Sequence, residues 1–231
     1  MGFWGIIIPI ICGAIVSIIL YTISENKKLA ILLAIVSVFC SIVILGFLQH
    51  EESNKNIYSN EYVYINYGKL ECTDDADIDY PCNIWIYKEE ESYNQIHVFS
   101  HMLSVEEYNS LLTSQEFYMG MIDGYCVGYA GADINVSNEQ IVKTEDRGVW
   151  FDRTYVNYPN TRVFEGQVDG KTILVITKVL YVGKGEMLLA TLNYENIDYN
   201  LFCSSKSKNI IEFRECFNSI EQKMVQVPSS E

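Results

Sequence analysis

Two uninterrupted apolar runs open the chain. Residues 3–23 and 29–48 contain no charged side chain. Each run is about 20 residues, and a helix rising about 1.5 Å per residue over that length spans a hydrocarbon core of about 30 Å. The pattern predicts two transmembrane helices joined by Ser24-Glu25-Asn26-Lys27-Lys28, a connection so short that it makes them an antiparallel hairpin. A cleaved signal peptide fits the first run poorly. Met1-Gly2-Phe3-Trp4 carries no basic residue, and a second full-length run follows at once. Gly5, Pro9, Gly13 and Ser17 in the first run, and Ala30, Ala34, Ser37 and Ser41 in the second, form small-residue stripes that let two helices approach closely.

Lys27 and Lys28 are the basic residues of the segment before Gln49. Short positively charged loops stay cytoplasmic. The expected placement is therefore the cell membrane, multi-pass, with the N-terminus and the C-terminal domain outside.

Beyond the hairpin (1–49) the pattern changes. Residues 50–60 read as a polar linker, 61–224 as an extracytoplasmic domain, and 225–231 as a polar tail. Tyr62-Val63-Tyr64-Ile65-Asn66-Tyr67 and Asn83-Ile84-Trp85-Ile86-Tyr87 are aromatic and β-branched, which predicts strands. Ser104-Val105-Glu106-Glu107 is a capping-box signature, and Val105, Tyr108, Leu111 and Leu112 follow on one helical face. A second helical pattern runs through Tyr118, Met121, Ile122 and Tyr125. Gly124, Gly128 and Gly131 turn its later part towards strand or turn. Residues 148–158 read as one strand, and 161–168, 172–182 and 187–194 as three consecutive antiparallel strands, with Asp169-Gly170 as a tight hairpin turn. Ile210, Phe213, Phe217 and Ile220 mark an amphipathic helix over 208–223. The fold class expected is α+β: an N-terminal two-helix transmembrane hairpin followed by an antiparallel-sheet domain with packed helices.

Charge narrows the partners. The chain carries 16 basic and 30 acidic residues, a formal net charge of −14. Such a surface repels nucleic acid and anionic headgroups. The partners expected are the lipid bilayer and a protein partner, or self-association through the transmembrane hairpin, with no nucleic acid.

Candidate chemistry is sparse. Asp75, Asp77 and Asp79 alternate like the first ligands of a calcium loop, but Tyr80 stands where that loop needs glycine and Ile86 where it needs glutamate. A solvated acidic loop is the plainer reading. Cys12 and Cys40 fall inside the apolar runs. Of the others, local pairing favours disulfides Cys72–Cys82 and Cys203–Cys216, leaving Cys126; reduced, buried thiols are the alternative. His97 and His101 are four apart, a metal-site spacing on a helix, yet Gln95-Ile96-His97-Val98-Phe99 reads as strand. Asn135-Val136-Ser137 is a glycosylation sequon that matters in a eukaryotic source. There is no Gly-x-Ser-x-Gly elbow, no phosphate-cradling glycine loop and no His-Glu-x-x-His, so no catalytic residue and no cofactor is assigned.

Phe164-Glu165-Gly166-Gln167-Val168-Asp169-Gly170-Lys171 and Phe217-Asn218-Ser219-Ile220, within a stretch of hairpins closed by a helix, resemble the Mog1/PsbP-like domains of surface-anchored bacterial proteins. The resemblance covers about 148–222. It implies an α/β/α sandwich and a non-catalytic binding or assembly role, and carries no functional residue over. The Ile-, Asn-, Lys- and Tyr-rich usage also looks bacterial. The function expected is a membrane-anchored extracytoplasmic binding or assembly module. The alternative is a sensory or regulatory subunit of a membrane complex whose outer domain detects a ligand.

Overall fold

A computed structural model describes residues 56–79, 81–90, 92–131 and 141–223. The centre of the domain is built by three strands: β9 (Thr161–Val168), β10 (Lys171–Val182) and β11 (Glu186–Glu195). In β10, Ile173, Val175 and Val179 point to one face and Leu174 and Ile176 to the other, and all five are buried. Such a strand needs cover on both sides. Asp169 and Gly170 close the β9–β10 hairpin with φ of 51° and 77°, the mirror-image turn whose twist matches its strands.

The sheet grows outwards from this centre. β11 pairs antiparallel with β5 (Gln95–Met102), then β4 (Asn83–Tyr87) and β3 (Glu71–Asp74). On the other side β9 pairs with β6 (Ile141–Glu145). The far end of β10 outruns β9, and Val182 there pairs in parallel with Phe151 of β7 (Val149–Phe151), which continues to β8 (Thr154–Val156). The run 148–158, expected as one strand, is thus a hairpin turning at Asp152, whose φ is 53°. Three short strands, β1 (Ile57–Ser59), β2 (Val63–Asn66) and β12 (Glu221–Gln222), form a separate sheet.

Each face of the large sheet has its own helices. Helices α1 (Val105–Thr113) and α2 (Gln115–Ala130) cover one face, where Tyr118 and Ile122 meet Phe99, Val179 and Leu189. Helices α3 (Tyr199–Ser204) and α4 (Lys208–Ser219) cover the other, where Phe202, Phe213 and Phe217 meet Ile96, Val98 and Leu192. The Ser104 capping box forms in full: its side chain accepts the Glu107 N–H, and the Glu107 carboxylate accepts the Ser104 N–H. Helix α2 runs unbroken through the glycines that pointed to strand or turn. Gly120, Gly124 and Gly128 all lie on its exposed side, where they cost only propensity, about 1 kcal/mol each. The buried stripe Tyr118, Ile122, Cys126 and Ala130 outweighs that cost. Gly131, at φ 68°, then ends the helix.

The expected fold class is corrected. The described fold is a sheet-rich domain of twelve strands and four helices, not an assembly led by a transmembrane hairpin. Among the described residues no helix is long and apolar enough to cross a membrane. The longest, α2, has 16 residues. At about 1.5 Å per residue it falls short of a hydrocarbon core. The transmembrane character and the multi-pass cell-membrane placement are withdrawn with it. Residues 3–23 and 29–48, on which the two spans were expected, lie outside the described residues, as does Asn135 of the sequon.

Candidate functional site

On the α3–α4 side of the sheet a cavity of about 480 Å³ opens between the strands and the two helices. Its apolar wall is Ile176 of β10, Phe202 of α3 and Phe217 of α4, all core residues with one edge turned to the opening. Asn160, Thr161 and Asn218 add polar edges, and Tyr199 and Cys203 stand on the α3 side. The charged lining is Arg147, Lys178 and Arg214 against the single carboxylate of Glu145. That inverts the balance of the chain, in which acids outnumber bases 30 to 16.

Each cation is placed by a different local need. Lys178 follows Ile173-Leu174-Val175-Ile176-Thr177 in β10 and points to the α3–α4 side, where its Nζ donates to the Ile220 carbonyl at 3.0 Å, just past the end of α4. Burial lowers its pKa, and the nearby Arg147 lowers it further. Arg214 uses a single nitrogen, Nη1, to donate to the carbonyls of Phe202 and Cys203, both at 2.7 Å, and of Ser205 at 3.3 Å. It thereby caps the C-terminal end of α3, where unpaired carbonyls collect. Arg147 is exposed and stands 3.7 Å from Glu145. Just outside, Lys143 donates to the Tyr199 hydroxyl at 3.2 Å and lies 4.8 Å from its ring centre.

No histidine lines the cavity. The thiol of Cys203 has Tyr199 and Lys143 beside it, but both hold their protons more firmly than usual: Tyr199 through burial, Lys143 through its bond to Tyr199. Neither is a base near neutrality.

The residues singled out from the sequence lie elsewhere, Cys203 excepted. Asp75, Asp77 and Asp79 are exposed, and Asp77 accepts the Asp79 N–H at 2.9 Å. Among the described residues no group of three or more histidines, cysteines or acids is arranged to hold a metal ion. Cys72, Cys82, Cys126, Cys203 and Cys216 are all free thiols. Cys82 and Cys216 are buried in the α4-side core, and Cys72 packs against it. Burial raises their pKa values to about 12, 12 and 11 respectively.

His97 and His101 share β5 and face α2, four residues apart on one side of a strand. His101 meets Tyr125 edge-on. His97 is walled in between Trp85 and Phe99, and burial lowers its pKa to about 3. Its ring is neutral. The Asn83 Oδ1, at 2.8 Å, can only accept, so Nε2 carries the proton and Nδ1 accepts the hydrogen bond of the Tyr129 hydroxyl. This is a fully used structural histidine.

Fold and site define a helix-covered, mostly antiparallel sheet domain with a cationic pocket. No family model matches the chain, and no curated protein matches it. Among solved structures it is similar to LpqN, involved in cell envelope biogenesis of Mycobacterium tuberculosis, at 10% identity and a TM-score of 0.28, covering 67% of this chain and 84% of that one. At that TM-score the likeness defines neither fold nor function and does not bear out the Mog1/PsbP-like resemblance.

Proposed function

We propose that the domain is a binding module without catalytic activity, and that its ligand occupies the pocket between β10, α3 and α4. The observation that carries this is the inverted charge of the pocket: three bases against one acid in a chain with nearly twice as many acids as bases. Its size falls within the ~300–1,000 Å³ of small-molecule sites, and it joins an apolar wall to a few convergent polar groups.

Cys203 supplies a built-in reporter, since it is exposed and lines the pocket. The test is alkylation of the full chain by iodoacetamide, read peptide by peptide by mass spectrometry. A bound ligand is expected to slow modification of Cys203 while leaving Cys72 unchanged. A panel of organic acids, amines, sugars and nucleotides that never changes the Cys203 rate overturns the proposal.

A further inference from the structure

The pocket also constrains what fills it. Lys178 brings a half-buried ammonium with three N–H donors to the lining, and its protein acceptor is one backbone carbonyl. Among the described residues it makes no salt bridge. Arg214 spends Nη1 on three carbonyls, and Nε and Nη2 have no protein acceptor among the described residues. Glu145 and Glu221 lie near enough to act on Lys178, but neither forms a contact ion pair with it, and a half-buried cation so placed costs free energy that a bound anion would offset. The planar fork of a guanidinium suits an oxyanion in particular.

Size and shape add a second requirement. At about 480 Å³ the cavity holds roughly sixteen times the ~30 Å³ share of one liquid water, so a bare inorganic oxyanion would leave most of it unfilled. What remains faces Phe202, Phe217 and Ile176.

Building on the binding role proposed above, we infer that the ligand is an amphiphilic organic anion. Its carboxylate or phosphate headgroup sits between Lys178 and Arg214, and a short hydrocarbon or aromatic body lies on Phe202 and Phe217. Arg147, exposed at the rim, guides the headgroup inward and contributes less than the two inner cations.

The test uses the full chain and the Cys203 alkylation rate, with octanoate, octyl phosphate, octanol, octylammonium and inorganic phosphate as probes. Octanoate or octyl phosphate is expected to protect Cys203 about tenfold better than octanol, the increment of one charge-assisted hydrogen bond. Whichever of the two protects more identifies the headgroup. Lys178→Met is expected to lower that protection about tenfold, and Arg147→Gln, which alters no buried group, by about twofold to threefold. Octanol protecting as well as the anions overturns the charge requirement, and inorganic phosphate protecting equally overturns the apolar one. Protection by octylammonium alone overturns the inference while leaving a binding pocket in place. If none of the five probes protects, the inference fails, and the broader panel then decides the binding role separately.

Discussion

The imidazole of His97 lies flat on the indole of Trp85, with ring centres 3.7 Å apart and planes within 4° of each other. The two residues face one another across β4 and β5. Trp85 on one side and Phe99 on the other wall the ring off from water, and that burial disfavours a second proton.

The consequence is acid sensitivity. The folded-state pKa of about 3 lies below the ordinary value of 6.5. Between those values the unfolded chain binds a proton that the folded chain does not. The His97 contribution is therefore complete above about pH 6.5 and is lost as pH falls towards 3. His97→Gln is expected to be less stable than the parent by about 2 kcal/mol at pH 8. That gap should close by on the order of 1 kcal/mol per pH unit below 6.5. Urea unfolding of both proteins across this range checks it; parallel pH profiles would refute it.

Two tyrosines of α2 should respond oppositely to loss of their hydroxyls. Tyr129 donates to His97, so Tyr129→Phe leaves a buried ring nitrogen unpaired and is expected to cost about 1–3 kcal/mol. The Tyr118 hydroxyl is buried without a hydrogen-bond partner among the described residues. Tyr118→Phe is expected to be neutral within about 0.5 kcal/mol, or stabilising. Denaturation midpoints at unchanged slope decide between them.

Arg162 of β9 holds Asp123 of α2 through two parallel N–H···O bonds, the Nη2–Oδ2 arm at 2.7 Å, and its Nη1 also donates to Thr144 of β6. Both partners are half-buried. Arg162→Ala is expected to cost about 3 kcal/mol by stranding the carboxylate. Arg162→Lys should recover only part of that, because an ammonium cannot form the fork. Full recovery by lysine in thermal unfolding would contradict this geometry.

Thiol reactivity should rank by burial. Cys203 is exposed, whereas Cys82, Cys126 and Cys216 are buried, with pKa values raised to about 12, 11 and 12. Since the thiolate is the reacting form, Cys203 is expected to be alkylated first among the described cysteines at pH 8, by at least about a hundredfold. The buried three should react only as fast as the protein opens. Equal rates in peptide-level mass spectrometry would show the core to be open.

Much of the sheet was legible in the residues. Asp169-Gly170 announced the β9–β10 turn, β-branched runs marked β2, β4 and β10, and the apolar run Met187-Leu188-Leu189-Ala190 marked β11. Helix α2 was misread beyond Tyr125 because propensity is a local quantity, and the glycines' outward placement is set by the sheet that α2 covers. Helix α3 and strands β1 and β12 are too short to leave a periodicity. The pocket left one trace, Lys178, the charged residue of β10 beyond its first position. Arg147 and Arg214 are brought to it only by tertiary packing. The emphasis on the apolar N-terminal runs led to a membrane fold class, whereas the described fold gives a sheet-rich domain and no helix fit to span.

β10 has no outside. Its odd- and even-numbered side chains serve different cores: Val175 faces the α2 side, and Ile176 lines the pocket. A change of side-chain volume at Val175, which is packed against α2, is relieved by shifting the backbone that it shares with Ile176. Natural variation should therefore be rarer along 173–179 than along any edge strand, and a substitution aimed at one chamber should be felt in the other.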